Sequence, residues 1–496
     1  MSREWGKVIQ LVIEFNGSGG YEADSSSLCP LVRYHHAGHT SLSSQPATVN
    51  RQPATRHSKR LTAMAVITQH RLPGLVLKDH LFDLPLRHAK PNDRRIEVFA
   101  REAVALEHEH AELPWLVFFQ GGPGSGSPRP MGRTGWLGAA LKKFRVLLLD
   151  QRGTARSSRI DATSLAIEGT PEAQADYLAC FRADAIVEDA EAIRRELCGD
   201  LPWTILGQSF GGFCALNYLS FHPAGLKGVI ITGGIPPIGV AIDDIYRATY
   251  QRVIDRNAEF YRRYPGDAQR VREVVDYLQA NKVYLPGGAH LTPAVLQLLG
   301  LDFGFSDGFE TVHYLLEEAF ITGPEGPNLS HNFLHGIDMR LPFETSPLFS
   351  LLHEALYCEG TASGWSADRV RQEFPMFDAG NAEQQPVLFT GEMIYPWMFE
   401  VFPRLAPLAA AADLLANRTE WPALYCEHAL AANKVPTVAA VYANDMFVER
   451  RFSEAVVARV PNIRMWLTSE YEHNGLRADG EGRVFSRLLD MLEGQA

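Results

Sequence analysis

Cysteine is scarce and scattered. The six thiols, Cys29, Cys180, Cys198, Cys214, Cys358 and Cys426, include no CxxC pair and no Cys/His cluster. That pattern fits neither a disulfide framework nor a structural zinc site, and it suits a reducing cytosol. No run of about 18 uninterrupted apolar residues occurs, which excludes a membrane span on length; the nearest candidate, Val8 to Phe15, is short and holds Glu14. Basic residues are in deficit. Against 47 Lys and Arg stand 58 Asp and Glu, a net charge of −11, and such a field repels nucleic acid and anionic membranes. Acidic residues are in turn absent from Ser25 to Lys78, where Ser, Thr, His, Arg and Gln dominate up to Arg60. A segment of this composition buries little, so residues 1–63 read as a disordered extension, with a transit-peptide-like leader as the second reading.

What remains has the means to build a large core. Hydrophobic residues make up 46% of the 496-residue chain and charged residues 21%, close to soluble globular averages. The length exceeds the roughly 250 to 300 residues at which one core stops growing, so a catalytic-size domain with a substantial insertion is expected. Short apolar runs recur at Trp115 to Phe119, Phe144 to Leu149, Trp203 to Leu206 and Val229 to Thr232, the length and composition of buried parallel strands. Between two of them Ile186, Ala190, Ile193 and Leu197 make one helix face, with Glu188, Asp189, Arg194 and Arg195 on the other. Arg95 to Ala100 alternates as an exposed antiparallel strand would. After Pro236-Pro237 long amphipathic stretches take over, Asp243 to Tyr264 and Ala268 to Asn281 among them, until Pro436 to Tyr442 and Ile463 to Thr468 restore the strand rhythm. The reading is an α/β fold with a mostly parallel sheet flanked by helices. Residues 64–238 and 431–496 form its core, and a helical insertion runs over 239–430.

The sharpest local pattern is Gly207-Gln-Ser-Phe-Gly211, a GxSxG that directly follows a strand and precedes the helix-compatible run Phe213 to Phe221. A strand that turns at once into a helix holds Ser209 in a strained conformation, and side chains at 207 and 211 would collide with the elbow. It also exposes the hydroxyl and sets the next amide, that of Phe210, at a helix N-terminus where it can stabilise an oxyanion. GxSxG alone also arises by chance, so partners matter. Upstream, Gln120-Gly-Gly-Pro-Gly124 follows another strand, and its glycine pair at Gly121 and Gly122 supplies an unobstructed second oxyanion donor. A serine hydroxyl needs a base and an orienting acid, which in the chain order Ser, acid, His lie C-terminal to it. Asp445 follows one strand-like run and His473 follows the next. Asp445 could instead cap a turn or helix, Glu449 stands four residues on as an alternative acid, and His473 is one of 17 histidines.

Four motifs, Gln120-Gly-Gly-Pro-Gly124, Asp150-Gln-Arg-Gly-Thr-Ala-Arg-Ser157, Gly207-Gln-Ser-Phe-Gly-Gly212 and Thr232-Gly-Gly-Ile-Pro-Pro237, together resemble the prolyl aminopeptidases (proline iminopeptidases). These are serine peptidases of the α/β-hydrolase fold, and the similarity, from about Met64 to the C-terminus, is nearest to the longer members with an enlarged cap. Two positions depart from the pattern: Gln120, where many members have His, and Ala155, where Gly is commoner. The resemblance implies release of an N-terminal residue, usually proline, from short peptides through Ser209, without metal or cofactor; the cysteine pattern puts that activity in the cytoplasm. It also marks Glu354 and Glu392, in two aromatic-rich cap segments, as readers of the substrate amine, ahead of Glu359. By spacing alone either glutamate could be an ordinary solvated or capping acid, and Trp365, Tyr395 and Trp397 could wall a proline pocket or simply be core. The alternatives are another hydrolase of the fold, such as an esterase or lactonase, or a scaffold used for binding.

Overall fold

Continuous apolar runs need cover on both faces, and here they lie inside a nine-stranded sheet. The structure is a computed structural model that describes residues 66–324, 326–381 and 386–495; the extension expected at residues 1–63 lies outside the described residues. The strands are β1 (Val66–Leu72), β2 (Leu75–Pro85), β3 (Arg95–Ala105), β4 (Trp115–Phe119), β5 (Arg145–Leu149), β6 (Trp203–Gln208), β7 (Leu226–Thr232), β8 (Thr437–Tyr442) and β9 (Ile463–Thr468). Their order across the sheet is β1-β2-β3-β5-β4-β6-β7-β8-β9. Pairing is antiparallel from β1 to β5 and parallel from β5 to β9. The helices that matter below are α1 (Ala183–Cys198), α2 (Phe210–Phe221), α3 (Ile242–Arg263), α4 (Ser366–Arg371), α5 (Arg450–Val457), the short α6 (Gly475–Ala478) and α7 (Arg483–Leu492).

Strand alternation sorts the runs into two cores. Val117, Phe119, Leu147, Leu149, Ile205 and Ile231 face α1 and α2, while Leu116, Phe118, Val146, Leu148, Leu206 and Ile230 face α7. Both sets are buried, each side chain contributing about 1.5–3 kcal/mol on leaving water. Between β7 and β8 the described residues hold α3, a helix over Asp267–Ala280, several shorter helices and two small hairpins, Val283–Tyr284 with His290–Leu291 and Phe320–Gly323 with Gly326–Leu329. Among the described residues no helix is long and apolar enough to cross a membrane.

One local expectation changes, and two local features add to the sequence reading. β3 is antiparallel but not exposed: it runs on to Ala105, and most of it from Val98 is buried between β2 and β5. The polar face of α1 is not wholly solvated. Asp189 is buried against Arg152, with bonds of 2.7 and 2.5 Å, and Arg194 is buried against Glu191 at 2.8 and 2.7 Å. Ala155 has φ +42, left-handed backbone that glycine adopts without the Cβ penalty, which accounts for glycine being commoner there among the proteins this motif resembles.

Candidate active site

β6 ends at Gln208, and Ser209 turns the chain into α2 with φ 55 and ψ −125. The turn is feasible because of two missing side chains. A Cβ on Gly207 would sit 2.4 Å from the Gly211 carbonyl oxygen, and one on Gly211 would sit 2.0 Å from that of Phe119. The first collision is within the elbow, as the sequence suggests; the second is with the end of β4, so Gly211 sets the fit of the elbow against the neighbouring strand. The Ser209 amide donates to Thr232 at 2.9 Å, which ties the elbow to β7.

Beyond β8 and β9, loops carry Asp445 and His473 to the same place. His473 Nε2 lies 2.8 Å from Ser209 Oγ, and its Nδ1 lies 2.8 Å from Asp445 Oδ2. The other carboxylate oxygen of Asp445 accepts from the amides of Phe447 at 2.9 Å and Val448 at 3.0 Å, so the acid is held from both sides. All three side chains are buried. The Phe447 ring packs edge-on to the imidazole at 4.7 Å. Glu449 is elsewhere: it pairs with Arg252 at 3.0 Å and caps α5. Gly233, unflagged by its own pattern beyond the Thr232-Gly-Gly motif, has φ +54, and a Cβ there would approach His473 Nδ1 at 3.1 Å and Asp445 Oδ2 at 3.3 Å.

The Gln120-Gly-Gly-Pro loop faces the elbow. A Cβ on Gly121 would come within 2.9 Å of the Ser209 Cβ, and Gln151 Nε2 donates to the Gln120 carbonyl at 3.0 Å. The Asp150-Gln-Arg motif thus braces the loop, with Asp150 accepting from the Ser127 amide at 3.0 Å and Arg152 on Asp189. Phe210, its ring buried, begins α2, where the first amides have no acceptor within the helix.

A cavity of about 260 Å³ opens on Ser209 and His473, lined also by Gly121, Gly122, Phe305, Phe349, Phe447 and Glu392. Its aromatic lining is Phe305, Phe349 and Phe447, and of the two readings open for Trp365, Tyr395 and Trp397 the structural one holds at this cavity. Tyr395 is buried in a hydrogen bond with Tyr250 at 3.0 Å and stacks on Trp397 at 5.6 Å, while Trp365 donates to Asp413 at 3.2 Å; none of the three lines this cavity. The rings that do are Phe305 and Phe349, from cap segments not marked by any polar pattern, and Phe447, two residues beyond Asp445.

The two glutamates part company. Glu354 does not line the cavity, which corrects its expected pairing with Glu392: its oxygens accept from the amides of Ser366 at 3.1 Å and Ala367 at 2.9 Å, so it caps the N-terminus of α4. Glu359 accepts from the amides of Leu424 and Tyr425 at 2.6 and 3.0 Å. Among the described residues, Glu392 alone supplies a carboxylate to the cavity lining. With 16% of its side-chain surface accessible, burial and the nearby Asp445 push its carboxyl up to about 8. His353 lies 4.0 Å away, yet burial pushes that imidazole down to about 4, so at pH 7 the two are neutral neighbours and not an ion pair. Among the described residues no group of three His, Cys, Asp or Glu side chains is arranged to hold a metal ion.

A carboxyl raised this far weakens the fold wherever it must ionise. Its ordinary value is 4.5, so below that pH wild type and Glu392→Gln should be alike in this respect. Between there and about 8 the variant should gain on wild type as pH rises, by about 1.4 kcal/mol per unit at most, and the gap should level off above. Denaturant midpoints at pH 5 and pH 8 check this; a gap independent of pH would contradict it.

Residues 114–277 match the family described as alpha/beta hydrolase fold. A proline iminopeptidase of Aeromonas sobria is 50% identical over 419 residues, 84% of this chain and 97% of its own. Proline iminopeptidase aneH of Aspergillus aculeatus is 36% identical over 415 residues, 80% of this chain and 89% of its own. On identity and coverage of this extent, the chain belongs to the proline iminopeptidase family of α/β hydrolases.

Proposed function

We propose that the protein is a serine exopeptidase that releases N-terminal proline from short peptides. The observation that carries this reading is the Ser209–His473–Asp445 chain of hydrogen bonds opening on a cavity whose lining includes the carboxyl of Glu392. His473 Nε2 takes the Ser209 proton as Oγ attacks the carbonyl carbon of the N-terminal residue. The amides of Gly122 and Phe210 hold the resulting oxyanion. Collapse breaks the C–N bond, His473 gives its proton to the leaving amine, and water then hydrolyses the prolyl ester on Ser209 with His473 again as base. Nucleophile, base and oxyanion donors all come from the chain, so the reading calls for no metal or cofactor.

Residues 64–238 and 431–496 serve here as the catalytic core. The cap, 239–430, brings Glu392, Phe305 and Phe349 over it. Amine recognition, expected of Glu354 and Glu392 together, falls to Glu392, since the oxygens of Glu354 are engaged by α4. The positive charge of a substrate pyrrolidinium next to Glu392 favours the carboxylate, whose proton passes to solvent, and the substrate NH₂⁺ then donates a charge-assisted bond to it, while the rings take the pyrrolidine. A cytoplasmic site of action accords with the free thiols of the five described cysteines.

Glu392→Gln should lower kcat/KM for H-Pro amides by about 10- to 100-fold, the loss of one hydrogen bond to a charged group. A small ester lacking an amine should lose far less, because the triad is untouched. Equal losses on both substrates would refute amine recognition and favour a general esterase.

A further inference from the structure

Among the described residues, three in the lining of the Ser209 cavity carry a charged or readily titrated side chain: His473, Glu392 and Arg477. The first two have roles in the reading above, and Arg477 has none. It lies on α6, four residues beyond His473, on the turn that follows the group delivering a proton to the leaving amine. Its backbone amide donates to Asn474 at 2.8 Å, but its side chain has no ion-pair or hydrogen-bond partner among the described residues. The residue as a whole is exposed and contributes to the cavity lining, so a ligand in the cavity can meet its side chain. Surrounding protein nevertheless holds it below its usual value by desolvation, with no carboxylate acting the other way. An arginine stays charged at any working pH, and a guanidinium fork matches a carboxylate in geometry as well as sign.

We propose that Arg477 forms a carboxylate subsite on the leaving-group side, so that the enzyme favours peptides short enough for a free C-terminal carboxylate to reach it, dipeptides foremost. This rests on the proline-releasing reading and deepens it. With the N-terminal pyrrolidinium at Glu392, the scissile carbonyl at Ser209 and the far carboxylate at Arg477, both charges of a zwitterionic substrate are met in one cavity. The sizes agree: two extended residues span at most about 7 Å, and a sphere of about 260 Å³ is about 8 Å across. A longer peptide carries its carboxylate past the subsite and presents an uncharged amide there.

The test compares kcat/KM for H-Pro-Ala and H-Pro-Ala amide, with H-Pro p-nitroanilide alongside, in the full chain and in its Arg477→Gln and Arg477→Lys variants. Wild type is expected to prefer the free acid over the amide by about tenfold, as one exposed charge-assisted contact supplies. Arg477→Gln should abolish the preference. Arg477→Lys, which keeps the charge and loses the fork, should restore part of it, and salt at about 1 M should erode it in wild type. Because the acid-to-amide ratio is internal to each protein, a variant that folds poorly lowers both terms alike. Cleavage of the anilide by wild type tests the underlying reading by itself, and no turnover of any proline substrate would overturn that reading and the subsite with it. Anilide turnover with equal rates on acid and amide, or a preference that survives Arg477→Gln, would overturn the subsite alone.

Discussion

Ser209→Ala is expected to lower turnover of proline amides by about a million-fold, with the fold intact. Losing a triad nucleophile costs about that much in enzymes of this chemistry, and what survives comes from binding and the oxyanion donors. The substitution is clean here. Ser209 already has φ 55, and alanine keeps the Cβ that makes such a conformation costly, so no new strain enters and no glycine-like slack is released. The hydroxyl itself contacts His473 Nε2, and the elbow is held by backbone bonds to Thr232 and from Gly212, which the variant retains. Steady-state assays together with a thermal melt separate lost chemistry from lost folding. A well-folded variant within tenfold of wild type would remove Ser209 from the reaction.

Asp445→Asn should cost about 10⁴ in rate, and the geometry gives the reason. One oxygen of Asp445 already accepts from the Phe447 and Val448 amides. An asparagine must keep its carbonyl oxygen toward those two donors, which turns its NH₂ toward His473 Nδ1. That ring nitrogen then has to accept, the proton moves to Nε2, and the nitrogen facing Ser209 can no longer take the serine proton. The loss should therefore fall on kcat. Glu449→Gln, which breaks only a partly buried pair with Arg252, should stay within a few-fold of wild type in activity. A silent Asp445→Asn beside a severe Glu449→Gln would move the orienting acid to Glu449.

The residues on the loops after β6, β8 and β9 were legible in the sequence because each signal is local. Parallel strands buried on both faces write themselves as unbroken apolar runs, the elbow needs small residues at fixed offsets around Ser209, and the acid and histidine follow the ends of their own strands. The hairpin of β1 and β2 was not, since Thr68, Gln69, His70 and Arg71 give the first strand no apolar alternation and its pairing is what holds it. Nor was the burial of Asp189, whose partner Arg152 lies 37 residues away. Glu354 and Glu392 look alike in composition, yet the first is engaged by the start of a helix 12 residues on and the second is left facing the cavity. Phe305 and Phe349 reach the substrate site because of how the cap segments meet the core, a property of three-dimensional packing that no spacing along the chain records, and Phe447 reaches it from the loop that carries Asp445. Arg477 did leave a faint trace, a lone cation one helical turn beyond the histidine.

The central claim is that the cavity over Ser209 accepts a free N-terminal proline because Glu392 there can meet its charge. Parallel rates of release from H-Pro p-nitroanilide and N-acetyl-Pro p-nitroanilide by the wild-type enzyme test this most directly. Acetylation removes the positive charge and leaves the buried carboxyl without a partner, a mismatch that polar sites reject strongly. Rapid release from the free amine with little or none from the acetylated substrate is the predicted result; comparable rates on the two would contradict it.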